Sequence, residues 1–283
     1  MRDLFDLHIH TTASDGSDTP AELLEKLRRA GLGLFSVTDH DTVEAALEME
    51  RLVPPGARYI RGVEFSCVSP VGKCHILGYG YDPEHPAFRA ALEEGRLLRR
   101  SKLRRRIQKL EEDFGVVLTD REREWLDSLT SPGKPHLGRI LVERGMAPDL
   151  NSAIRDFLGS VPGRDRIEAE TAVRAIEESG GISVWAHPLG GEGEKRLSPR
   201  QFAAQLETLA GYGIRGMECW YSRYDLEEVR FLMERAAASG LLVTGGSDYH
   251  GKNKQGLALG MLNREGAPCA ITMDELTAAL KMV

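Results

Sequence analysis

Apolar and polar positions along the chain follow two periods that take turns. The run Asp6–His10 opens a series of strand-length apolar segments that continues with Leu34–Thr38, Tyr59–Glu64, Ile182–Ala186, Ile214–Glu218 and Leu241–Gly245. After the first, each is preceded by a helical segment or a glycine turn. The helix between the first two opens at Thr19-Pro20, with Pro at its first position, and stops at Gly31. This alternation predicts a parallel α/β barrel rather than a sandwich. His10, Asp39-His40, Glu64, His187, Glu218 and Asp248 all fall at or just beyond the C-terminal ends of these strands, the face on which such a barrel carries its chemistry.

The rhythm stops between about Pro83 and Arg166. Residues 88–114, 121–128, 135–145 and 151–158 read as helices with no strand signal between them. Residues 83–166 are therefore expected to be a helical insertion, or lid domain, in a barrel built from 1–82 and 167–283. The barrel ends in a helix near Met273–Met282. Insertions after barrel strands sit over the active-site face. The first inserted helix carries eight basic residues in fourteen, from Arg96 to Lys109. A solvated face is the ordinary reading of such a run, and an anion-attracting rim above the site is the other.

With 283 residues, 41 % of them hydrophobic, the chain can bury a barrel-sized core. No apolar run approaches the ~18 residues needed to span a bilayer, and the N-terminus enters a strand without a signal-peptide core, so a soluble, cytoplasmic protein is expected. The four cysteines form no C-x-x-C. Cys67 and Cys74 could face each other across a hairpin at Pro70-Val71-Gly72, with reduced thiols as the default. A net charge of -6 disfavours non-specific binding to a polyanion.

Chemistry concentrates in Asp6-Leu7-His8-Ile9-His10, Val37-Thr38-Asp39-His40-Asp41 and Ser247-Asp248-Tyr249-His250. Side chains alternate along a strand, so His8 and His10, and likewise Asp248 and His250, point to one side as pairs. Together they read as one polynuclear metal site. Imidazole mixed with carboxylate favours Zn, Mn or Fe over Mg or Ca. Six of the eight histidines, His8, His10, His40, His75, His187 and His250, stand beside acids or at strand ends, whereas His85 looks like a surface residue. No G-x-S-x-G elbow, Cys-His dyad or P-loop is apparent.

In these segments the sequence resembles the PHP (polymerase and histidinol phosphatase) superfamily. The likeness rests on D-L-H-I-H-T with Ser14-Asp15-Gly16 following, T-D-H-D at 38–41, G-V-E at 62–64, His75 in a strand, A-H-P at 186–188 and G-S-D-Y-H at 246–250. It implies a distorted (β/α)7 barrel holding two or three divalent metal ions (Mn, Zn or Fe). One would lie among His8, His10, Glu64 and Asp248, a second among Glu64, His75 and His187, and a third among Asp15, His40 and His250. Asp15 stands where other branches place a His. Such a site hydrolyses phosphoesters with a metal-bridging hydroxide, and these nine residues are the catalytic set.

For the substrate, Lys134, His136 and Arg139 open an inserted helix whose N-terminus favours anions, similar to the small-molecule branch of the superfamily. Ser222 and Arg223 lie in the segment Cys219–Tyr224, read as a loop, where related enzymes hold a serine and a basic residue against a phosphate. The expected reaction is metal-dependent hydrolysis of a small phosphorylated metabolite, a nucleotide bisphosphate or a cyclic phosphate. The alternatives are a 5′–3′ exonuclease on short RNA or DNA and a histidinol-phosphatase-like monoesterase. The complete ligand set argues against a non-catalytic module. The partner is thus a small phosphorylated substrate, with nucleic acid only as a short oligonucleotide and no membrane.

Overall fold

A ring of strands places the first and last motifs side by side. The structure is a computed structural model and describes residues 4–191 and 195–280. Its strands are β1 (Phe5–Asp6), β2 (Leu34–Val37), β3 (Arg58–Val68), β4 (Lys73–Tyr79), β5 (Ile167–Glu168), β6 (Ile182–Trp185), β7 (Gly216–Tyr221) and β8 (Leu242–Gly246). The order β1-β2-β3-β4-β6-β7-β8 forms the wall, and β5 pairs with the far end of β3. Leu7 N–H donates to the Gly245 carbonyl at 3.2 Å, and Ile9 bridges Tyr249 in parallel, which brings the two ends of the sheet together. The fold is a distorted (β/α)7 barrel.

The helices are α1 (Pro20–Ala30), α2 (Glu44–Leu52), α3 (Pro86–Phe114), α4 (Asp120–Ser128), α5 (Lys134–Glu143), α6 (Leu150–Phe157), α7 (Ala169–Glu178), α8 (Pro199–Tyr212), α9 (Leu226–Ala238) and α10 (Met273–Ala279). Helix α1 begins with a reciprocal cap between Thr19 and Glu22 and ends at Gly31, whose φ of 70° is left-handed. Helix α3 is the beam that joins two cores. Its first turns bury Phe88, Ala91 and Leu92 in the barrel, while Leu103 and Leu110 further along join Leu126, Leu137, Ile140 and Leu141 in a separate apolar cluster of α3 to α6. That second cluster lets four helices stay together without a strand among them.

The sheet departs from the expected all-parallel barrel at β4, which runs antiparallel to both β3 and β6. The cause is the tight turn at Ser69–Gly72, where Ser69 N–H donates to the Gly72 carbonyl at 2.9 Å and reverses the chain. Cys67 and Cys74 are opposite each other in this hairpin, with no disulfide between them. Strand β3 continues past Glu64 to Val68, and β1 is only two residues long before the bridge at Ile9. Strand β7 runs on to Tyr221, through the first half of the segment expected to be a loop, with a register shift between Glu218 and Trp220; Ser222 and Arg223 lie in the turn that follows. The last helix ends at Ala279, with Leu280 already outside it; the rest of the expected extension, to Met282, lies outside the described residues. Among the described residues no helix is long and apolar enough to cross a membrane.

Candidate metal centre and its cavity

Strand alternation sorts each motif into a packing side and a site side. Ile9 and Tyr249 turn into the apolar cluster with Leu23, Phe35 and Val37, so His8, His10, Asp248 and His250 face the opposite way. The same sorting holds at Asp39-His40-Asp41. Asp39 accepts hydrogen bonds from the backbone and hydroxyl of Thr11 and of Ser14, and Asp41 accepts from Ser66 N–H and Arg99, which leaves His40 alone to enter the site. The outer aspartates are struts.

Glu64 stands at the centre. Its Oε1 lies 2.9 Å from His75 Nδ1 and 3.2 Å from His187 Nε2; its Oε2 lies 3.2, 3.1 and 3.0 Å from ring nitrogens of His8, His10 and His40. Asp248 Oδ1 is 3.6, 3.4 and 3.3 Å from His8, His10 and His250. Asp15 reaches His250 at 3.2 Å, His10 at 3.6 Å and His40 at 3.8 Å. All nine sequence candidates therefore gather. Donor atoms lie within 4.8 Å of one another in each of three groups, His8-His10-Asp248, His40-Glu64-His75 and His10-Asp15-His40-His250. His40 and His10 each join more than one group, a sharing that sequence spacing does not reveal.

The donor set fits divalent cations. Glu64 Oε2 and His40 Nδ1 are buried and close together, yet neither makes a hydrogen bond of acceptable geometry. Orphaned buried atoms of this kind are costly unless another group satisfies them. Burial opposes charge throughout the cluster, but Glu218, Glu64 and Asp248 outweigh it at His8 and hold its pKa well above the ordinary value. His10 is likewise raised to about 9, because its hydrogen bonds to Asp248 and Glu64 offset burial. Burial instead leaves His40 at about 4. Burial would raise the Glu64 carboxyl, yet His40, His75 and His8 keep it well below the usual range. Metal ions require deprotonated imidazoles, so binding here would release protons.

A supporting layer fixes the ligands. Glu218 accepts from His8 Nδ1 at 2.9 Å and from His187 N–H at 2.7 Å, so one carboxylate orients two candidate ligands that follow β1 and β6. Asp6 accepts from His8 N–H, Ser247 and Gly260 N–H. Burial raises its pKa to about 6 against those hydrogen bonds. The Tyr221 hydroxyl donates to Asp248 Oδ2 at 2.9 Å. It gets there because the bulge at Cys219 shifts the alternation, so that Glu218 and Tyr221, three residues apart, both face the site. Asp41, His187 and Asp248 are non-glycine residues at positive φ (51°, 28° and 56°), backbone strain concentrated at the site.

The cluster opens into a cavity of about 650 Å3. Its opposite wall is cationic: Arg99, Lys102 and Arg106 project from α3 at three- and four-residue spacing, joined by Lys134, Arg166 and Lys73. The basic run thus divides. Arg96 pairs with Glu44, Arg100 binds the Leu129 carbonyl and Lys109 pairs with Asp113, while three others line the cavity. Arg106 is 8 % exposed, and its Nε has no hydrogen-bond partner. Burial beside Arg166 and Arg106 brings Lys102 down to about 7, against its pairing with Asp165.

Of the expected substrate contacts, Lys134 lines this cavity. The other four residues do not. His136 Nδ1 accepts from Gly133 N–H at 3.0 Å and caps α5, with its ring against Trp125. Arg139 is exposed, pairs with Glu143 and lies over Trp125, because it falls on the outer face of α5. Ser222 is fully buried in the turn after β7, and Arg223 donates to the Gln255 carbonyl.

No family model matches the chain. It is 29 % identical to a 3′,5′-nucleoside bisphosphate phosphatase from Chromobacterium violaceum over 97 % of both chains. It is 33 % identical to a phosphoribosyl 1,2-cyclic phosphate 1,2-diphosphodiesterase from Eggerthella lenta, over 87 % of this chain and 94 % of that one. It is 31 % identical to the 5′–3′ exoribonuclease Rnm of Escherichia coli, over 87 % and 85 % respectively. Among solved structures, one described as a metal-dependent phosphoesterase from Bifidobacterium adolescentis superposes with a TM-score of 0.79 at 28 % identity over 93 % of each chain.

Proposed function

The chain belongs to the PHP superfamily of metal-dependent phosphoesterases, and from that premise we propose that it removes phosphate from a small metabolite bearing two phosphoryl groups. The observation that carries the second phosphate is Arg106, a buried guanidinium with an unpartnered Nε in the wall that faces the ligand cluster. A cation is buried at such cost only when an anion meets it. Lys134 and Arg166 on the same wall complete a seat for a dianion.

His8, His10, Asp15, His40, Glu64, His75, His187, Asp248 and His250 would hold two or three divalent ions, Mn, Zn or Fe by the mixture of imidazole and carboxylate. Bound ions supply Lewis acidity at phosphorus and a water-derived nucleophile near neutral pH. The protein's own part is placement. Glu218 holds His8 and His187 in register, and Asp39 ties the loop carrying Asp15 to β2. Helices α3 to α6 act as a lid domain that roofs the cavity and supplies Arg99, Lys102, Arg106 and Lys134, which keeps the anchored substrate in line with the cluster.

The test is a phosphate-release screen with Mn2+-loaded protein against adenosine 3′,5′-bisphosphate, a ribose cyclic phosphate, simple monoesters and a ~20-mer RNA. The bisphosphate should give the highest kcat/KM. Preference for the 20-mer by orders of magnitude with a steep salt dependence would select the exonuclease reading instead.

A further inference from the structure

Beyond His250 the chain makes a short 3-10 turn, Gly251–Asn253, to which the chemistry above gives no task. It is tied to the loop of Asp15 by three hydrogen bonds: Ser17 N–H to the His250 carbonyl at 3.1 Å, Lys252 N–H to Ser17 Oγ at 2.8 Å, and Asn253 Nδ2 to the Asp15 carbonyl at 2.8 Å. Gly251 has φ +64°, and a Cβ there would come within 2.0 Å of Ser17 Oγ, so the turn requires glycine. The turn delivers Lys254. Its Nζ lies 2.5 Å from Asp248 Oδ2, and its side chain lines the cavity together with Asp15, Glu64 and His250.

Orientation of Asp248 does not account for this lysine. The Tyr221 hydroxyl already donates to the same oxygen, and Oδ1 is the atom that faces the histidines. An ammonium at this point stands beside sites for divalent cations, where like charge works against it. One of its three donors is used on Asp248; the other two have no partner among the described residues. A fixed cation with spare donors at the edge of the cluster is arranged for negative charge that develops during the reaction.

We propose that Lys254 is a catalytic residue that donates a hydrogen bond to the leaving-group oxygen of the phosphoester. The inference rests on the phosphoesterase reading of the site. One water is consumed: its oxygen bonds to phosphorus, the bond from phosphorus to the leaving oxygen breaks with its electron pair on that oxygen, and a proton of the water ends there. Lys254 keeps its protons and stabilises the charge in transit.

The experiment compares wild type, Lys254→Met and Lys254→Arg, all loaded with Mn2+. The probes are the ester cleaved fastest in the phosphate-release screen and the same compound with sulfur as the bridging atom. A thiolate leaves with little help from a hydrogen-bond donor. Lys254→Met should therefore lose about 100-fold in kcat on the oxygen ester but stay within about 5-fold on the sulfur ester, by the usual effect of removing one such donor. Its Mn2+ content and affinity should match wild type, and arginine should restore part of the rate. Equal losses on both esters, a loss that tracks reduced Mn2+ binding, or a rise in KM with kcat unchanged would overturn the proposal. A wild type that binds Mn2+ but cleaves no ester overturns the functional reading and this inference with it.

Discussion

The two walls of the cavity are charged by different means. On the barrel side, carboxylates and imidazoles from the ends of separate strands neutralise one another at 2.9–3.2 Å around Glu64. On the insertion side, one helix lines the cavity with cations; Arg99 and Lys102 are paired with Asp41 and Asp165, and Arg106 is buried with an unpaired nitrogen. The first arrangement is complementary to cations and the second to an anion. On the proposed function, reactivity and substrate choice then fall to different structural units, and a variant on one wall should leave the other's property intact.

The sharpest break of that division is loss of a ligand. Asp248→Ala should lose metal and more than about 10³-fold in kcat on every ester while its circular dichroism stays native, since several kcal/mol of charge stabilisation go with the ions. Metal analysis beside a phosphate-release assay checks it. On the opposite wall, Arg106→Met should keep its metal and lose about 100-fold in kcat/KM on a bisphosphate, but under about 3-fold on a monophosphate, because only the remote dianion misses the guanidinium. Equal losses on both would dissolve the distinction between the walls.

Smaller effects sharpen it. Glu218→Gln should weaken Mn2+ binding by about 10-fold, measured by equilibrium dialysis, as expected for a group that orients two ligands without touching the ion. Lys102 titrates at about 7, and its charged form is the one that attracts phosphate. It is therefore cationic below that pH and neutral above it, so KM for a bisphosphate should rise several-fold from pH 6 to pH 8. Lys102→Met should flatten that rise. Arg139→Ala should change kcat/KM by less than about 2-fold, since its guanidinium is spent on Glu143 at the surface.

Part of the candidate metal cluster was legible because it is local, while Asp15 and the grouping of Glu64 with His75 and His187 came from the family resemblance. Two-residue alternation makes His8 and His10 a pair, and one motif places His40 between two aspartates without any knowledge of the partner strands. The helices of the insertion were legible through their period, and the hairpin through Pro70-Val71-Gly72. What could not be read depends on docking. The direction of β4 follows from a turn whose consequence for the sheet appears only when β6 pairs with it. Tyr221 reaches Asp248 through a bulge that no apolar pattern announces. Arg106 and Arg139 both lie on inserted helices, and only packing decides that the first faces the cavity and the second faces solvent. Lys254 arrives by a three-residue turn with no periodicity.

The seam between Ile9 and Tyr249 also sets an order in time. Asp6 accepts from Ser247, 241 positions later in the chain, and His8 and His10 meet Asp248 and His250 only once that seam has formed. During synthesis, a nascent chain already carries the first histidines and the whole insertion long before it can enclose an ion. On the proposed function, ion capture is therefore a late event, coupled to contacts such as those of Asp6 with Ser247 and Gly260, which lie 241 and 254 positions away, and chains interrupted before residue 248 lack Asp248 and His250 altogether.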